Sequence, residues 1–379
     1  ENFHYQPTFE QELAVKSLAT FLLSQQNDTI FLLRGFAGTG KTSLVGALVK
    51  TMDSLAQKSI LLAPTGRAAK VFSLYAGHPA YTIHKKIYRQ KSFSNEMTNF
   101  SLNDNLNTHT LFIVDESSMI SNDGLSGSSF GSGRLLDDLI QFVYSGTGCR
   151  LLLMGDTAQL PPVGEEESPA LSADILKGYG LEVQEIGLTQ VVRQLENSGI
   201  LWNATKLRRY IAEENFLSLP KIRLKGFADI RILPGNELID ELNTCYGRDG
   251  MDETMVICRS NKRANLYNNG IRNTILDRED ELNSGDMLMI AKNNYFWTEK
   301  NKEIDFIANG DIAVVRRVRR TKELYGFRFA EVLLSFPDYN DFELEANLLL
   351  DTLHSESPAL PKELNDKLFY SVLEDYADI

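Results

Sequence analysis

A complete phosphate-binding loop is the feature that most constrains this chain. Residues 35–42 read Gly-Phe-Ala-Gly-Thr-Gly-Lys-Thr, which matches the pattern G-x-x-x-x-G-K-[ST] between an apolar run at 30–33 and a helical pattern at 43–49. In such a loop, successive backbone N–H groups and the positive end of the following helix point at phosphate oxygens. We therefore predict that Gly38, Thr39 and Gly40 cradle the phosphates of a nucleoside triphosphate. Lys41 would reach the β- and γ-phosphates, and Thr42 would hold Mg²⁺.

Two adjacent carboxylates follow a second apolar run. Asp115 and Glu116 come directly after residues 111–114, at the position from which an acid can reach Mg²⁺ at the phosphate loop. Asp115 would be the metal-side acid, and Glu116 could position and deprotonate the attacking water. The alternative is an Asp-Glu pair that only caps the next helix.

A third polar turn follows the run at 150–154. The amide of Gln159 could hydrogen-bond the γ-phosphate or the attacking water without any change of charge, and Pro161 and Pro162 would fix the turn. Asp156 and Thr157 could equally serve only as caps of that turn.

Composition indicates an ordinary globular chain. Its 379 residues suggest two or three domains, and no apolar run approaches the ~18 residues that cross a bilayer. No N-terminal signal pattern is seen, so we expect a cytoplasmic protein, nucleoid-associated if bacterial, without a membrane partner. The net charge of −12 argues against nucleic acid, but residues 341–379 hold ten acidic and two basic residues. The rest of the chain is nearly balanced and carries basic clusters.

The order of patterns predicts an α/β fold. Strands at 30–33, 60–63, 111–114 and 150–154 alternate with helical segments, which is typical of a parallel sheet that binds ligands at its strand ends. The polar interval 75–110 breaks this rhythm and is interpreted as an inserted subdomain. A second α/β region begins near residue 188, with a strand at 255–258 and an amphipathic helix through 264–275. Short β runs then occupy 287–291, 311–318 and 328–335, and residues 341–379 are predicted to be helical.

Six segments in this order resemble the RecD/Dda/Pif-type branch of superfamily 1 DNA helicases; they lie at 35–42, 63–70, 82–85, 115–119, 155–163 and 188–194. The resemblance implies two RecA-like motor domains, the second incomplete at its C-terminus. The first would span 1–187 with a duplex-splitting wedge inserted at 75–110. The second would begin at 188–283 and carry an SH3-like β insertion at 284–340, followed by an acidic helical extension at 341–379.

The resemblance also assigns residues outside the phosphate site. Gln11 matches the adenine-reading residue, although an exposed helical glutamine explains it equally well. Arg193 matches the arginine finger that reaches the γ-phosphate. Single-stranded DNA would be held by two segments, Pro64, Thr65, Gly66 and Arg67 after the second strand and His84 with Lys85 after the third. His84 could instead be a packing histidine.

The implied function is a monomeric, ATP- and Mg²⁺-dependent motor that moves 5′ to 3′ on single-stranded DNA and unwinds duplex junctions. Two later family motifs, Thr-x-His-Lys-x-Gln-Gly and one with Thr-Arg, are absent. We therefore expect a fragment whose 379 residues alone hydrolyse ATP poorly and unwind nothing. The alternatives are an ATP-switched nucleic-acid-binding regulator without unwinding, and a P-loop transporter or signalling ATPase.

Overall fold

The computed structural model describes most of the chain, in two compact units of residues 1–230 and 231–379. The described residues are 2–3, 6–90, 100–123, 131–191, 198–213, 219–251, 253–291, 307, 309–353, 355 and 360–375. Among them, every helix is too short or too polar to cross a lipid bilayer.

The first unit is built on a six-stranded parallel sheet. Its strands are β1 (Thr29–Gly35), β2 (Lys58–Ala63), β3 (Ala80–Thr82), β6 (Thr110–Val114), β7 (Arg150–Gly155) and β8 (Glu182–Leu188). They are ordered β3-β2-β6-β7-β1-β8, and every neighbouring pair is parallel. The four strands predicted from apolar runs are confirmed.

Helices cover both faces of this sheet because its central strands are apolar on both sides. In β1, Ile30 and Leu32 belong to one hydrophobic core, whereas Phe31 and Leu33 belong to the other. The helices are α1 (Phe9–Leu23), α2 (Lys41–Ser54), α3 (Gly66–Ala76), α4 (Ile83–Ile87), α5 (Leu135–Ser145), α6 (Ala173–Gly178) and α7 (Gly199–Ala212). Helices α1, α2 and α3 contribute to the second core, and α4, α5 and α6 to the first.

The interval 75–110 leaves the main sheet only in its middle part. Strand β3 still joins the sheet edge, and the departure consists of the antiparallel pair β4 (Tyr88–Gln90) and β5 (Phe100–Leu102). The Tyr88 hydroxyl donates a 2.6 Å hydrogen bond to Asp138 of α5, which ties the pair to the main body. Residues 91–99 lie outside the described residues, and the wedge stays a prediction.

The second unit contains an antiparallel sheet. Its elements are α8 (Leu238–Arg248), α9 (Asn261–Thr274), β9 (Met287–Met289), β10 (Ile312–Leu324), β11 (Phe327–Phe336), β12 (Phe342–Leu349) and α10 (Lys362–Asp375). The four strands are ordered β12-β11-β10-β9. The three predicted β runs and the amphipathic helix are confirmed, whereas the likeness of this sheet to an SH3 domain stays a prediction.

Two predicted elements are wrong. The strand at 255–258 is not formed: these residues belong to none of the sheets in the described part of the chain, and Met255 and Ile257 are 78% and 89% exposed. A β-strand needs a hydrogen-bonded neighbour, and these residues lack one within the described part of the unit. The described residues therefore form no second RecA-like sheet.

The second wrong prediction is the continuous helical character of 341–379. Residues 342–349 form strand β12 instead, because apolar side chains alternate with polar ones and the apolar set packs on the core of the sheet. Only α10 is helical as predicted. The domain boundary at 187/188 stays a prediction; residues 188–230 cluster with the first unit.

Candidate active site

The phosphate loop turns sharply between β1 and α2. Gly38 and Gly40 have φ values of 80° and 82°, a left-handed backbone that L side chains rarely adopt. A Cβ atom on Gly40 would lie 2.7 Å from the Gln11 side-chain nitrogen. Thr39 is buried and donates its hydroxyl to the Phe36 carbonyl at 2.8 Å. The loop therefore has the shape that its glycines predict, and the second glycine leaves room for Gln11.

Gln11 is buried against the phosphate loop. It is 3% exposed, and its side-chain nitrogen donates to the Thr39 carbonyl at 2.9 Å. Its side-chain oxygen accepts from the Thr8 N–H, while the Thr8 hydroxyl accepts from the Gln11 N–H, which completes a capping box at the start of α1. The alternative of an exposed helical glutamine is therefore wrong.

Lys41 folds over the loop that precedes it. Its Nζ donates to the carbonyls of Gly35 at 2.6 Å and Phe36 at 3.1 Å. Burial lowers the pKa of Lys41, while the charges of Asp156, Asp115 and Glu116 act to raise it. A cation is thus held at the cavity among three carboxylates, where an anionic ligand can replace the carbonyl contacts.

Asp115 and Glu116 stand at the carboxyl end of β6. Burial raises the pKa of Asp115 to about 6, and the Glu116 carboxylate acts in the same direction; the Glu116 N–H, the Lys41 charge and a hydrogen bond with Thr42 oppose it. Glu116 adopts a left-handed backbone with φ 51°, a conformation that costs about 1–3 kcal/mol and concentrates at functional sites. The placement of these two carboxyl groups therefore costs free energy, through the burial of Asp115 and the backbone conformation of Glu116.

Thr42 and Asp115 fit a magnesium ion of the kind that binds together with phosphates. The Thr42 side chain acts to lower the pKa of Asp115, so a hydroxyl and a carboxylate oxygen lie close to each other. Within the described residues, no group of three or more His, Cys, Asp and Glu side chains could hold a metal. Mg²⁺ commonly takes one or two protein oxygens and completes its shell with phosphates and water. The donor set is therefore suitable once a triphosphate is bound.

Asp156 and Gln159 lie on the turn after β7. The Gln159 side-chain oxygen accepts from the Ser118 hydroxyl at 3.2 Å, which links it to the segment that follows Glu116. Asp156 does cap its turn, since it accepts from the Ala158 N–H at 2.9 Å. It also accepts from the Ala37 N–H in the phosphate loop at 3.0 Å, so it is more than a turn cap.

One cavity of about 450 Å³ joins these groups, within the range of about 300–1,000 Å³ usual for ligand pockets. Predicted residues that line it are Gln11, Gly38, Gly40, Lys41, Thr42, Asp115, Glu116 and Gln159. Thr39 lies buried behind the loop. Arg193 lies outside the described residues. The structure thus brings together the predicted phosphate, metal and water-activating residues that it describes.

The predicted DNA-binding segments are neighbours at the same edge of the sheet. Residues 64–67 and 83–85 follow β2 and β3, where Ala63 pairs with Thr82. Thr65 caps α3 by accepting from the Ala68 N–H, and Arg67 on its first turn is exposed. Pro64 is half-buried, while Gly66 is buried at the start of the helix.

The second DNA segment lies on the short helix α4. The Lys85 ammonium lies 5.8 Å from the centre of the Tyr81 ring, and Lys86 lies 5.7 Å from the same ring. Burial lowers the pKa of His84, against the opposing charge of Asp138. Two basic side chains and an aromatic ring are thus gathered beside residues 64–67, which agrees with a common surface for both segments. The DNA contacts themselves stay a prediction.

Two charged residues at this site were not predicted. Arg208 of α7 lies over the Phe36 ring, 4.7 Å from its centre, and 3.4 Å from Asp156. Glu10 accepts hydrogen bonds from the Thr189 N–H at 2.6 Å and the Gln190 N–H at 2.8 Å. Glu10 precedes Gln11 in the sequence, but its position is that of an ordinary acid in the first turn of a helix. No local pattern marks Arg208, because its partners are more than fifty residues away in the chain.

Comparisons with known proteins agree with this geometry. A family model described as an AAA domain matches residues 9–216. An uncharacterized protein of Acanthamoeba polyphaga mimivirus is 25% identical over 392 residues, which cover 90% of this chain and 70% of the relative. The ATP-dependent RecD2 DNA helicase of Deinococcus radiodurans is 29% identical over 296 residues, which cover 76% of this chain and 36% of the relative. The chain thus spans little more than a third of the RecD2 helicase.

Two solved structures also align with most of the chain. The Pif1 helicase from Bacteroides, in complex with ADP-AlF3 and ssDNA, is 17% identical at a TM-score of 0.38, covering 90% of this chain and 74% of that one. The Pif1 helicase from Candida albicans is 18% identical at a TM-score of 0.37, covering 91% and 79%.

Proposed function

We propose a motor function for this chain: it hydrolyses ATP and uses the reaction to translocate on DNA and unwind it. The chain belongs to the AAA domain family and, within it, to the superfamily 1 RecD/Pif-type helicases. The observation that carries the proposal is the convergence of Lys41, Thr42 and Asp115 on one cavity, with Gln11 and Gln159 at its walls. These groups supply contacts for a base, for phosphates and for an attacking water.

In the proposed reaction, water attacks the γ-phosphorus and the bond to the bridging oxygen of ADP breaks. Glu116 takes a proton from the water, and Gln159 orients it or senses the γ-phosphate. Lys41 leaves its two carbonyl partners for the phosphates and offsets the charge that develops on their oxygens. Thr42 and Asp115 would hold Mg²⁺, which would offset part of the charge on the phosphates.

Gln11 is proposed to read adenine. Its side chain is already fixed by Thr39 and Thr8, so the amide can be presented to a base without losing rotamer entropy on binding. Arg193 is proposed as the arginine finger on the strength of the family resemblance. It would stabilise transition-state charge and make hydrolysis depend on its own arrival at the site.

Single-stranded DNA is proposed to bind at the ends of β2 and β3. The N–H groups at the start of α3 and the exposed Arg67 suit phosphate contacts, while Lys85 and the Tyr81 ring suit the charge and stacking that single strands require. Movement from 5′ to 3′, action on duplex junctions, a monomeric state and the wedge and SH3-like insertions belong to this proposal as implications of the resemblance.

ATP hydrolysis with and without single-stranded DNA tests the proposal. We expect a weak activity that the DNA raises and that Lys41→Ala abolishes, while some DNA affinity remains in that variant. Glu116→Gln should bind ATP and turn it over slowly; normal turnover would remove Glu116 from the role of base. An ATPase that ignores DNA would favour the transporter or signalling alternative.

Strand displacement separates the motor from the ATP-switched regulator. Because two family motifs are absent, we expect little displacement by these 379 residues, and any displacement to need a 5′ single-stranded tail. Brisk unwinding would refute the expectation of poor activity, and unwinding from a 3′ tail would refute the proposed direction.

A further inference from the structure

Arg208 lies against the phosphate loop. Its guanidinium carbon lies 4.7 Å from the centre of the Phe36 ring, and its side chain is 15% exposed. One guanidinium nitrogen lies 3.4 Å from Asp156 Oδ2. An arginine is thus stacked on one residue of the loop and faces the carboxylate that holds the next residue.

Asp156 is a buried carboxylate beside the site. It is 2% exposed, and its oxygens accept from the N–H groups of Ala37 at 3.0 Å and Ala158 at 2.9 Å. These two bonds fix the phosphate loop to the turn that carries Gln159. They supply dipoles rather than a full positive charge, so the negative charge of Asp156 still needs a cation close by.

Among the described residues, Lys41 and Arg208 are the cations closest to Asp156, and they have different tasks. Lys41 lies at the loop and is shared among Asp156, Asp115 and Glu116, and in the proposed reaction it turns to the phosphates. Arg208 faces Asp156 directly from α7. When Lys41 is engaged by a triphosphate, Arg208 is the cation of the described residues that continues to balance Asp156.

We propose that Arg208 is a positioning residue that balances the charge of Asp156, so that Asp156 can anchor the phosphate loop without repelling a bound triphosphate. The inference rests on the proposed ATP-binding function. It assigns Arg208 to affinity and to discrimination by phosphate charge. A residue that only stabilised the fold would not distinguish nucleotides by their charge.

The test is the binding of ATP, ADP and AMP by calorimetry, with Mg²⁺ and with EDTA. We expect Arg208→Gln to weaken ATP about tenfold, a change of about 1.4 kcal/mol. ADP should weaken less and AMP least, because the repulsion grows with the number of phosphate charges. This increase in the loss of affinity from AMP to ADP to ATP, the charge gradient, should be steeper in EDTA, since Mg²⁺ neutralises part of the phosphate charge. Arg209→Gln, the adjacent exposed arginine of α7, is the matched control and should leave all three affinities unchanged.

The double variant Arg208→Gln with Asp156→Asn separates charge balance from packing. Removal of the carboxylate should recover most of the ATP-to-ADP affinity ratio lost in Arg208→Gln. If Arg208→Gln fails to fold, Arg208→Met keeps the stem on Phe36 and is expected to show the same gradient and the same recovery.

Equal weakening of the three nucleotides, or no recovery in the double variant, would overturn the inference about Arg208. Lys41→Ala is measured in parallel as a test of the site itself. If Lys41→Ala leaves ATP binding intact, the proposed site is wrong; if only the Arg208 gradient is missing, the site stands and the charge-balance inference fails.

Discussion

Replacement of Asp115 by asparagine should stabilise the nucleotide-free protein at neutral pH. Burial raises the pKa of this carboxyl from its ordinary 3.8 to about 6. Because a tenfold change in an equilibrium constant is worth about 1.4 kcal/mol, charging Asp115 costs about 3 kcal/mol more in the native state than in the unfolded chain. Asparagine keeps the side-chain oxygen that accepts from the Glu116 N–H at 2.8 Å but removes the charge. We therefore expect a gain of about 1–3 kcal/mol in the free energy of unfolding.

The pH dependence fixes the sign of this effect. The native state holds the Asp115 proton more tightly, so the contribution of Asp115 to stability falls as pH rises from about 4 to about 6, and its full cost is present above that range. The gain from Asp115→Asn should be near zero below pH 4 and largest above pH 6. The measurement is urea unfolding monitored by hydrogen exchange in peptides from β1 and β6, which gives the free energy of unfolding of the unit that holds the site.

A control variant and a measurement with bound nucleotide test this prediction further. Asp174→Asn removes an exposed carboxylate and should change stability by less than about 0.5 kcal/mol at every pH. With ATP and Mg²⁺ at 100 times Kd, ligand binding adds about 2.7 kcal/mol to the wild type. Asp115→Asn should lose most of that addition. A variant that is less stable than the wild type at pH 8 without nucleotide would refute the reasoning.

Four other substitutions test contacts at the candidate ATP site and on the predicted DNA surface. Glu10→Gln should increase hydrogen exchange at residues 188–191, whereas Glu12→Gln should not. Despite partial burial, hydrogen bonds from Thr189 and Gln190 hold the pKa of Glu10 below 4.5. The contribution of Glu10 to stability is therefore present above pH 4.5 and is lost as pH falls through the lowered pKa. Gly40→Ala should destabilise the protein by about 1–3 kcal/mol and weaken ATP binding, because a Cβ at φ 82° meets a buried amide at 2.7 Å; unchanged melting and ATP titrations would contradict this. Arg67→Gln and Lys85→Gln should each reduce the slope of log affinity for single-stranded DNA against log salt by about 0.7, and unchanged slopes in a salt titration would exclude them as phosphate contacts.

The parallel sheet could be predicted because its central strands are continuous apolar runs. Buried on both faces, strands such as β1 and β7 have no polar side to confuse with a helix. The phosphate loop, Asp115 and Gln159 followed from their positions after these strands. Gln11 was identified by its motif, but its burial depends on contact with Thr39, which the sequence does not show.

The errors come from information that a local pattern does not hold. The apolar run at 255–258 has the composition of a strand, yet the described residues of its unit provide no neighbour for it. In β12 the acidic residues suggested a solvated helix, although the alternation of apolar and polar residues over 342–348 indicated a strand. Arg208 could not be predicted because its role comes from the fold that brings α7 to Asp156.

The adjacency of β2 and β6 bears on how the two candidate surfaces can be altered separately. Leu62, two residues before Pro64, pairs with Val114, the residue before Asp115, so the ends of these two strands share one hydrogen-bonded ladder. A substitution that shifts the backbone at 64–66 would pass that shift through the ladder to Asp115, the proposed magnesium ligand. Variants intended to weaken DNA binding without affecting ATP hydrolysis are therefore best made at side chains on helices, such as Arg67 on α3 and Lys85 on α4. Such substitutions leave the backbone of the strands unchanged.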